Sequence, residues 1–279
     1  MNWEEFITQS LYEDVRDGDH TSLSCIPLEA TGQAQLIIKD QGIIAGMELA
    51  KMIFTHIDPS IKFISFIEDG SEVDKTQIAF ELSGNARKIL MGERLVLNCM
   101  QRMSGIATLT KKFVQEIAGF PAKILDTRKT TPLFREAEKW AVRIGGGYNH
   151  RFGLFDMILI KDNHIDYAGG IINAIESVKK YLTEEKLDLR VEIEARSLED
   201  VVLILKSGGI DRIMLDNFNM EELKEAVACI NQQISVEVSG GVNLDTVRNI
   251  AATGVDYISV GALTHSYHSI DLSLKAKIL

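Results

Sequence analysis

The chain has 279 residues, of which 46% are hydrophobic and 25% charged, and it contains only four prolines. This composition is typical of a soluble globular protein and excludes a disordered or fibrous chain, while the length suffices for one large or two modest domains. The net charge of -10 argues against nonspecific binding to nucleic acid or to an anionic membrane, since both require a basic surface. We therefore expect neither as a partner.

The beginning of the chain does not resemble a targeting signal. Its first five residues, M-N-W-E-E, lack the basic and apolar regions of a signal peptide. Lys39 and Asp40 interrupt the apolar stretch from Leu36 to Phe54, which therefore does not match a transmembrane helix. These features predict a cytoplasmic protein.

The cysteines predict neither a disulfide framework nor a thiolate zinc site. They are odd in number and widely spaced, and no two of them form a Cys-x-x-Cys pair. We interpret Cys25, Cys99 and Cys229 as buried free thiols.

The first 120 residues predict an α+β domain. Strand-like runs are followed by a long helical stretch from about Ala86 to Ala118, which Gly92 and Gly105 interrupt. The strand-like runs are Gln33–Lys39, Lys62–Phe66 and Gln77–Leu82.

Beyond residue 120 the chain alternates short apolar runs with amphipathic stretches. The last residues of four runs, Glu194, Asp216, Ser239 and Gly261, recur every 22 or 23 positions, which fits one strand plus one helix. This alternation predicts a parallel sheet, and its regular period favours a β/α barrel of six or seven strands over an open sheet. The runs are Ala122–Thr127, Met157–Lys161, Leu189–Glu194, Arg212–Asp216, Ser235–Ser239 and Tyr257–Gly261.

Helix signals lie between these runs. N-cap patterns begin at Ser197 and Asn219, and Gly208 is placed to end a helix. We predict an N-terminal α+β domain over residues 1–115 and a barrel domain over residues 116–268. The last segment, 269–279, is helix-like and is expected to pack back on the first domain.

Polar residues occur at the carboxyl ends of the predicted strands, which converge on one face of a β/α barrel and form its active site. A lone lysine or arginine is usually a solvated surface charge, but here several basic residues and two acids fall where this fold would gather them. We therefore predict a functional site. The strand-end groups are Asp126-Thr127-Arg128-Lys129-Thr130, Lys161, Glu194, Asp216, Ser239-Gly240-Gly241 and Val260-Gly261-Ala262.

The charges of these groups indicate anionic ligands. Seven basic against four acidic residues lie between Asp126 and Lys161 in an otherwise acidic chain. Arginine binds carboxylate or phosphate through two hydrogen bonds, and a glycine-rich turn presents backbone N–H groups to a phosphate. Glu194 and Asp216 would hold Mg²⁺ or ribose hydroxyls. The pattern predicts a phosphorylated sugar beside a second anion.

The glycine run at 145–147 is less informative. It is equally well explained by a flexible loop or a helix end, and it does not follow a strand as a dinucleotide-binding glycine motif would. His150, next to Arg151, either helps to bind an anion or is structural.

Several long, ordered motifs resemble the quinolinate phosphoribosyltransferase family, also called carboxylating nicotinate-nucleotide pyrophosphorylases. The match covers most of the chain. The motifs are E-D-V-R-D-G-D-H-T-S (13–22), N-C-M-Q-R-M-S-G-I-A-T (98–108), D-T-R-K-T-T-P (126–132), E-K-W-A-V-R-I-G-G-G-Y-N-H-R (138–151), I-L-I-K-D-N-H (158–164), M-L-D-N-F (214–218) and V-E-V-S-G-G-V (236–242).

The resemblance implies an N-terminal α/β sandwich domain, an incomplete, seven-stranded β/α barrel and a homodimer in which Arg102 completes the partner's site. It implies catalytic roles for Lys129, Lys161, Glu194 and Asp216, of which the two acids also hold Mg²⁺, directly or through water. It also implies a set of substrate-binding residues. These are Arg102, Thr127, Arg128, Lys129, His150, Arg151, Lys161, Glu194, Asp216, Ser239, Gly240, Gly241, Val260, Gly261 and Ala262.

The activity that the resemblance implies is transfer of the phosphoribosyl group of phosphoribosyl pyrophosphate to quinolinate. Decarboxylation accompanies the transfer and gives nicotinate mononucleotide, pyrophosphate and CO₂ in NAD biosynthesis. Two departures affect loop geometry: Leu133 replaces the glycine usual after T-T-P, and the segment between Glu194 and Asp216 is one residue longer than in some relatives.

Three alternatives remain open from the sequence. One is a related phosphoribosyltransferase with another acceptor, such as the homologue associated with molybdenum uptake genes or an enzyme that uses nicotinate without decarboxylation. Another is a Schiff-base aldolase with Lys161 as the nucleophile. The third is a sensor that binds a phosphosugar without catalysis.

Overall fold

The computed structural model describes residues 2–277, which form two compact units. The first unit consists of Met1–Lys111, Thr130–Gly146 and Thr264–Leu279, and the second of Lys112–Lys129 and Gly147–Leu263. The segment 130–146 belongs to the first unit, although it lies beyond the boundary that we predicted near residue 115.

Helices and strands account for most of the described chain. The helices are α1 (Trp3–Val15), α2 (His20–Cys25), α3 (Met47–Ile57), α4 (Ala86–Glu116), α5 (Arg135–Ile144), α6 (Asp162–Ala168), α7 (Ile171–Glu185), α8 (Leu198–Ser207), α9 (Met220–Ile230), α10 (Val247–Ala251) and α11 (Ala262–His265). The strands are β1 (Thr31–Ile38), β2 (Gly42–Ile43), β3 (Lys62–Ser65), β4 (Glu72–Val73), β5 (Ile78–Asn85), β6 (Lys123–Leu125), β7 (Ile158–Ile160), β8 (Val191–Ala195), β9 (Arg212–Asp216), β10 (Ser235–Ser239), β11 (Tyr257–Ser259) and β12 (Leu272–Ala276).

The first unit is built on a four-stranded antiparallel sheet in the order β12-β1-β5-β3. In β1, burial alternates along the strand, so Leu36 and Ile38 lie in the core. Helix α3 adds Phe54, whose ring lies 6.4 Å from that of Phe80 on β5. The three strand-like runs predicted before residue 85 correspond to β1, β3 and β5.

The second unit contains a parallel sheet of six strands in the order β6-β11-β10-β9-β8-β7. All six strands coincide with the predicted apolar runs. A single parallel bridge joins Leu125 to Tyr148 beside β6. Ser197 and Asn219 cap α8 and α9 as predicted, and Gly208 ends α8.

Two local predictions were wrong. The segment after residue 269 contains strand β12, which pairs with β1 and is not helical. Its alternating Leu272 and Leu274 are buried, as expected for one face of a strand. Helix α4 continues through Gly92 and Gly105. Neither glycine ends the helix; each is required because a side chain there would clash with residues packed against the helix.

The prediction of three buried thiols holds only for Cys99. Cys25 and Cys229 are exposed, since each lies at the end of a surface helix. Over residues 2–277, no helix combines the length and the apolar character that crossing a membrane requires.

We expect two of the three thiols to react with iodoacetamide in the native protein. Burial raises the pKa of Cys99 to about 12, so it has almost no thiolate at neutral pH. Mass spectrometry of tryptic peptides would show rapid labelling of Cys25 and Cys229, with Cys99 labelled only in denaturant. Equal labelling rates would contradict the burial of Cys99.

We expect Gly105→Ala to destabilise the protein by about 1–3 kcal/mol, the usual cost of overpacking. A Cβ at this position would lie 2.3 Å from the carbonyl oxygen of His268, a backbone atom that cannot rotate away. Denaturant unfolding measures the loss. Gly32→Ala is the control, because its Cβ would make an ordinary 3.8 Å contact with Ala86; equal stability of the two variants would contradict the prediction.

Candidate active site

The carboxyl edge of the parallel sheet gathers the strand-end residues of the second unit. Parallel strands all end at the same edge, so residues after β6, β7, β8, β9 and β10 are neighbours there. Val260 is buried and its N–H donates to the carbonyl of Leu125, which extends β11 alongside β6. Gly261 and Ala262 follow it and are half-buried. The predicted strand-end groups therefore share one edge.

Lys161 and Glu194 form an ion pair at this edge. Nζ of Lys161 contacts Oε1 of Glu194, while Oε2 of the same carboxylate accepts a hydrogen bond from the N–H of Asp162 at 3.1 Å. Glu194 is buried and Lys161 is half-exposed. The ion pair therefore holds the ammonium group of Lys161 in place, and the group stays accessible at the edge.

Two arginines are brought close together after β6 and after the Tyr148 bridge. Arg151 is buried, and its pKa is lowered by burial and by the positive charge of Arg128. Nη1 of Arg151 donates to the carbonyl of Met157 at 3.1 Å, which holds the guanidinium in place. Two neighbouring guanidinium groups are a good receptor for an anion, since a bound carboxylate or phosphate removes their repulsion.

Thr127 and Lys129 complete the segment after β6. The hydroxyl of Thr127 accepts a hydrogen bond from the N–H of Lys129 at 3.0 Å, which bends the chain locally. Lys129 is exposed and Thr127 half-buried.

Asp126 belongs to the predicted strand-end groups, but we assigned it no role from the sequence, and the structure shows that its role is structural. Its buried carboxylate accepts hydrogen bonds from the side-chain amide of Asn149 at 2.5 Å and from the N–H of His150 at 2.8 Å. It therefore fastens the segment that carries Arg151 to the end of β6. The available signal was its position, because an acidic residue directly after a buried strand needs partners.

Asp216, at the end of β9, lies close enough to Glu194 for their charges to interact. Its pKa is raised by burial and by the charge of Glu194, while hydrogen bonds from Ser239 and Asn217 oppose the shift. Two repelling carboxylates beside a hydroxyl form an oxygen-rich donor set of the kind that Mg²⁺ prefers. These oxygen atoms are of the kind that a magnesium ion needs, although both oxygens of Glu194 already contact Lys161 Nζ and the N–H of Asp162.

The turn after β10 requires glycine. Gly240 and Gly241 both have left-handed backbone angles, with φ of 94° and 61°. A Cβ on Gly240 would lie 2.2 Å from Oδ1 of Asn217 and 2.9 Å from its backbone nitrogen. Only glycine lets the chain pass so close to Asn217, and the exposed turn keeps its N–H groups near the edge.

Below this edge, charged residues project from three neighbouring strands. Glu192 on β8 and Glu237 on β10 are fully buried, and burial raises the pKa of both carboxyls. Nη1 of Arg212 on β9 lies 2.7 Å from Oε2 of Glu237 and 3.9 Å from Oε2 of Glu192. The hydroxyl of Ser259 on β11 donates to Oε1 of Glu237. We did not predict this cluster.

His150 lies against these carboxylates. Its Nε2 is 3.0 Å from Oε2 of Glu192 and 3.5 Å from Oε1 of Glu237, and its side chain is only 6% exposed. The three side chains place possible ligand atoms within 4.8 Å of one another. Arg212, however, already contributes a fixed positive charge to both carboxylates, so the cluster does not fit a metal ion.

Arg102 belongs to the first unit and lies on the exposed side of α4. Its Nη1 donates to the hydroxyl of Tyr267 at 3.0 Å. Burial raises the pKa of nearby Glu138, and the charge of Arg102 opposes that shift.

The family models agree with the motifs. The model described as "Quinolinate phosphoribosyl transferase, C-terminal domain" matches residues 106–275, and the N-terminal domain model of the same family matches residues 19–104. Together they cover most of the chain.

Curated relatives are similar over nearly the whole chain. The chain is 49% identical to the chloroplastic carboxylating nicotinate-nucleotide pyrophosphorylase of Arabidopsis thaliana, covering 96% of this chain and 81% of the relative. It is 40% identical to the probable carboxylating nicotinate-nucleotide pyrophosphorylase of Bacillus subtilis, covering 98% and 93%.

Solved structures agree in fold. The nicotinate-nucleotide pyrophosphorylase of Francisella tularensis has a TM-score of 0.90 at 40% identity, covering 99% of this chain and 96% of that one. The enzyme of the same name from Ehrlichia chaffeensis has a TM-score of 0.92 at 36% identity, covering 99% of both chains. On the motifs, both domain models and these relatives, the chain belongs to the quinolinate phosphoribosyltransferase family.

Proposed function

We propose that the carboxyl edge of the parallel sheet transfers a phosphoribosyl group from phosphoribosyl pyrophosphate to quinolinate with decarboxylation, as the names of the relatives indicate. The products are nicotinate mononucleotide, pyrophosphate and CO₂, and the activity is that of a carboxylating nicotinate-nucleotide pyrophosphorylase in NAD biosynthesis. The observation that carries the proposal is that one edge of the sheet brings the basic residues Arg128, Arg151 and Lys161 together with the carboxylates Glu194 and Asp216.

Quinolinate would bind to the basic side of the site. Its two adjacent carboxylates match the two-pronged geometry of Arg128 and Arg151. Lys129 and Lys161 add compact positive charges, and Arg102 of a partner subunit completes the set. Thr127 supports this group by holding the backbone of Lys129.

Phosphoribosyl pyrophosphate would bind to the opposite side. Backbone N–H groups of the turns at Ser239-Gly240-Gly241 and Val260-Gly261-Ala262 suit its 5′-phosphate. Glu194 and Asp216 would hold the ribose hydroxyls and a Mg²⁺ ion, directly or through water. When bound, Mg²⁺ supplies positive charge that neutralises the pyrophosphate leaving group.

The chemistry requires positioning and charge stabilisation more than a nucleophilic side chain. The pyridine nitrogen of quinolinate forms the bond to C1′ as the bond from C1′ to pyrophosphate breaks, and positive charge develops on the ribose ring. Glu194 and Asp216 would stabilise that charge. The C2 carboxylate then leaves as CO₂, and the electron pair on C2 is stabilised by the adjacent pyridinium nitrogen until it takes up a proton. Fixed donors such as Lys161 lower the barrier because they need no reorganisation.

Three further features belong to this proposal. The Tyr148 bridge beside β6 takes the place of a seventh strand in an incomplete β/α barrel. The protein acts as a homodimer in which Arg102 of one subunit completes the site of its partner, as the family resemblance implies. We propose a cytoplasmic enzyme, although the Arabidopsis relative is named as chloroplastic.

The aldolase alternative is disfavoured by Lys161 itself. An imine-forming lysine must have a free amine that can attack a carbonyl, whereas Nζ of Lys161 is held in an ion pair by the carboxylate of Glu194.

Purified protein with quinolinate, phosphoribosyl pyrophosphate and Mg²⁺ is expected to form nicotinate mononucleotide. Quinolinate labelled with ¹⁴C at the C2 carboxyl should release one labelled CO₂ per nucleotide. Product formation from nicotinate without CO₂ release would identify a related enzyme with another acceptor, and binding without pyrophosphate release would identify a sensor.

We expect Lys161→Ala and Arg128→Ala each to lower turnover by roughly 100-fold or more, the usual effect of removing a preorganised charge-stabilising donor. Lys180→Ala is a matched control, because Lys180 is exposed and pairs only with Glu184 on the same helix. Turnover is measured with both substrates at saturation. A normal rate in either variant would refute the assignment of that residue.

Mixing two inactive variants tests the shared site. Arg102→Ala and Lys161→Ala homodimers should both be inactive, whereas a mixed dimer keeps one site with both residues. After subunit exchange about a quarter of the wild-type activity should return, as expected for random pairing in a symmetric dimer. Absence of recovery despite verified exchange would show that each site uses its own Arg102.

A further inference from the structure

Glu138 is a buried carboxylate to which the proposed chemistry gives no role. It lies in the first turn of α5 and is fully shielded from solvent. Its Oε2 accepts a hydrogen bond from the backbone N–H of Thr131 at 3.1 Å. Its Oε1 is also buried, and between residues 2 and 277 it has no hydrogen-bond partner. A buried carboxylate with unused acceptor capacity is costly, so a neighbouring positive charge is needed to keep it ionised.

The hydrogen bond to Thr131 anchors the segment that follows Lys129. Thr130 and Thr131 come directly after Lys129 in the chain. Helix α5 holds Thr130 as well, because Nε of Arg135 donates to its hydroxyl at 2.8 Å. Two residues from the first turn of α5 therefore fix the chain just beyond Lys129, and Glu138 is the one that holds the backbone.

The positive charge that acts on Glu138 comes from Arg102 on α4 and from Arg135. Burial raises the pKa of Glu138, whereas the hydrogen bonds from Thr131 and the two arginine charges oppose that shift. Electrostatic attraction is reciprocal, so the carboxylate also restrains Arg102. The hydroxyl of Tyr267 holds the same guanidinium, at 3.0 Å from Nη1. Arg102 is therefore exposed, but two groups of its own unit direct it.

We infer that Glu138 is a positioning residue for both active sites of the dimer. Through Thr131 it holds the segment of its own subunit that follows Lys129, and through its charge it restrains Arg102, which completes the partner's site. The inference rests on the proposed function and its shared site. A group that is held before binding loses less freedom when it binds, so loss of either restraint should impair the use of substrate.

Two substitutions separate the two roles. Glu138→Gln keeps an oxygen that can accept from the N–H of Thr131 but removes the negative charge, whereas Glu138→Ala removes both. Glu136→Gln is the matched control, because Glu136 is an exposed glutamate in the same turn of α5.

Hydrogen exchange of the ligand-free protein measures the anchor on Thr131. We expect the Thr131 amide to exchange about tenfold faster in Glu138→Ala, the scale of one lost hydrogen bond, and at nearly the wild-type rate in Glu138→Gln and Glu136→Gln. Mass spectrometry of peptic peptides that end on either side of Thr131 resolves this amide. Unchanged exchange in Glu138→Ala would contradict the anchoring role.

¹⁵N relaxation of the arginine Nε–H groups measures the restraint on Arg102, whose signal is identified by its loss in Arg102→Lys. In ligand-free Glu138→Gln we expect the order parameter of this group to fall below about 0.6, the range of flexible groups. Glu136→Gln should keep the wild-type value. A wild-type order parameter in Glu138→Gln would show that the carboxylate does not restrain Arg102.

Mixed dimers test the charge on a single site. When one subunit carries Lys161→Ala, the only site with Lys161 belongs to the other subunit and uses Arg102 of the Lys161→Ala subunit. Glu138→Gln in the Lys161→Ala subunit should raise the KM for quinolinate about threefold to tenfold, the cost of immobilising one flexible side chain. Glu138→Gln in the other subunit should leave this KM near wild type, because the hydrogen bond to Thr131 remains.

Glu138→Ala tests the anchor in the subunit that keeps Lys161. There we expect kcat/KM for quinolinate to fall about tenfold to 100-fold, because Lys129 is displaced from its position. Two affinity tags purify each mixed dimer. The same KM for both placements of Glu138→Gln would refute the shared role, and wild-type kcat/KM with Glu138→Ala in the subunit that keeps Lys161 would refute the anchor.

The outcomes separate this inference from the proposed function. If wild-type protein forms no nicotinate mononucleotide, the function is wrong, while exchange and relaxation in the ligand-free protein still decide both restraints. If Glu138→Ala does not fold, as judged by circular dichroism, Glu138→Asp replaces it, because the shorter side chain withdraws the carboxylate from Thr131.

Discussion

The buried charges inside the parallel sheet are the constraint on which the site depends. Glu192, Arg212 and Glu237 project from neighbouring strands into a region that excludes water. A buried charge without partners costs several kcal/mol, so each of these groups must be satisfied by another. The observed register brings Arg212 within 3.9 Å of Glu192 and 2.7 Å of Glu237, and the same register sets the strand ends that carry Glu194 and Asp216.

The edge above this cluster contains the Lys161–Glu194 ion pair, but it also holds like charges close together. Arg151 lies beside Arg128, and Asp216 beside Glu194, so each pair raises the energy of the ligand-free protein. The fold tolerates this cost because Asp126, Met157 and the His150 ring hold the segment firmly. An anion on one side and a magnesium-bound phosphosugar on the other would relieve both repulsions, which links binding energy directly to the charge pattern.

Much of the second unit could be predicted from sequence periodicity. The six apolar runs became β6 to β11, and the N-cap residues Ser197 and Asn219 were found where expected. Predictions failed where long-range contacts overrule local signals. Gly105 does not break α4 because its missing side chain admits the backbone of His268, and the final segment is a strand because β1 offers it a hydrogen-bonding edge.

The sequence alone determined the alternation of strands and helices, the residues at the strand ends and the family, because these depend on local periodicity and on contiguous motifs. It also contained a signal that we did not use: Glu192 and Glu237 interrupt strands that a parallel sheet normally keeps apolar. Only the tertiary structure decided that these glutamates share Arg212 and His150, and that Asp126 fastens Arg151. Such partners come from different strands and loops far apart in the chain, so their pairing depends on the packing of the whole sheet.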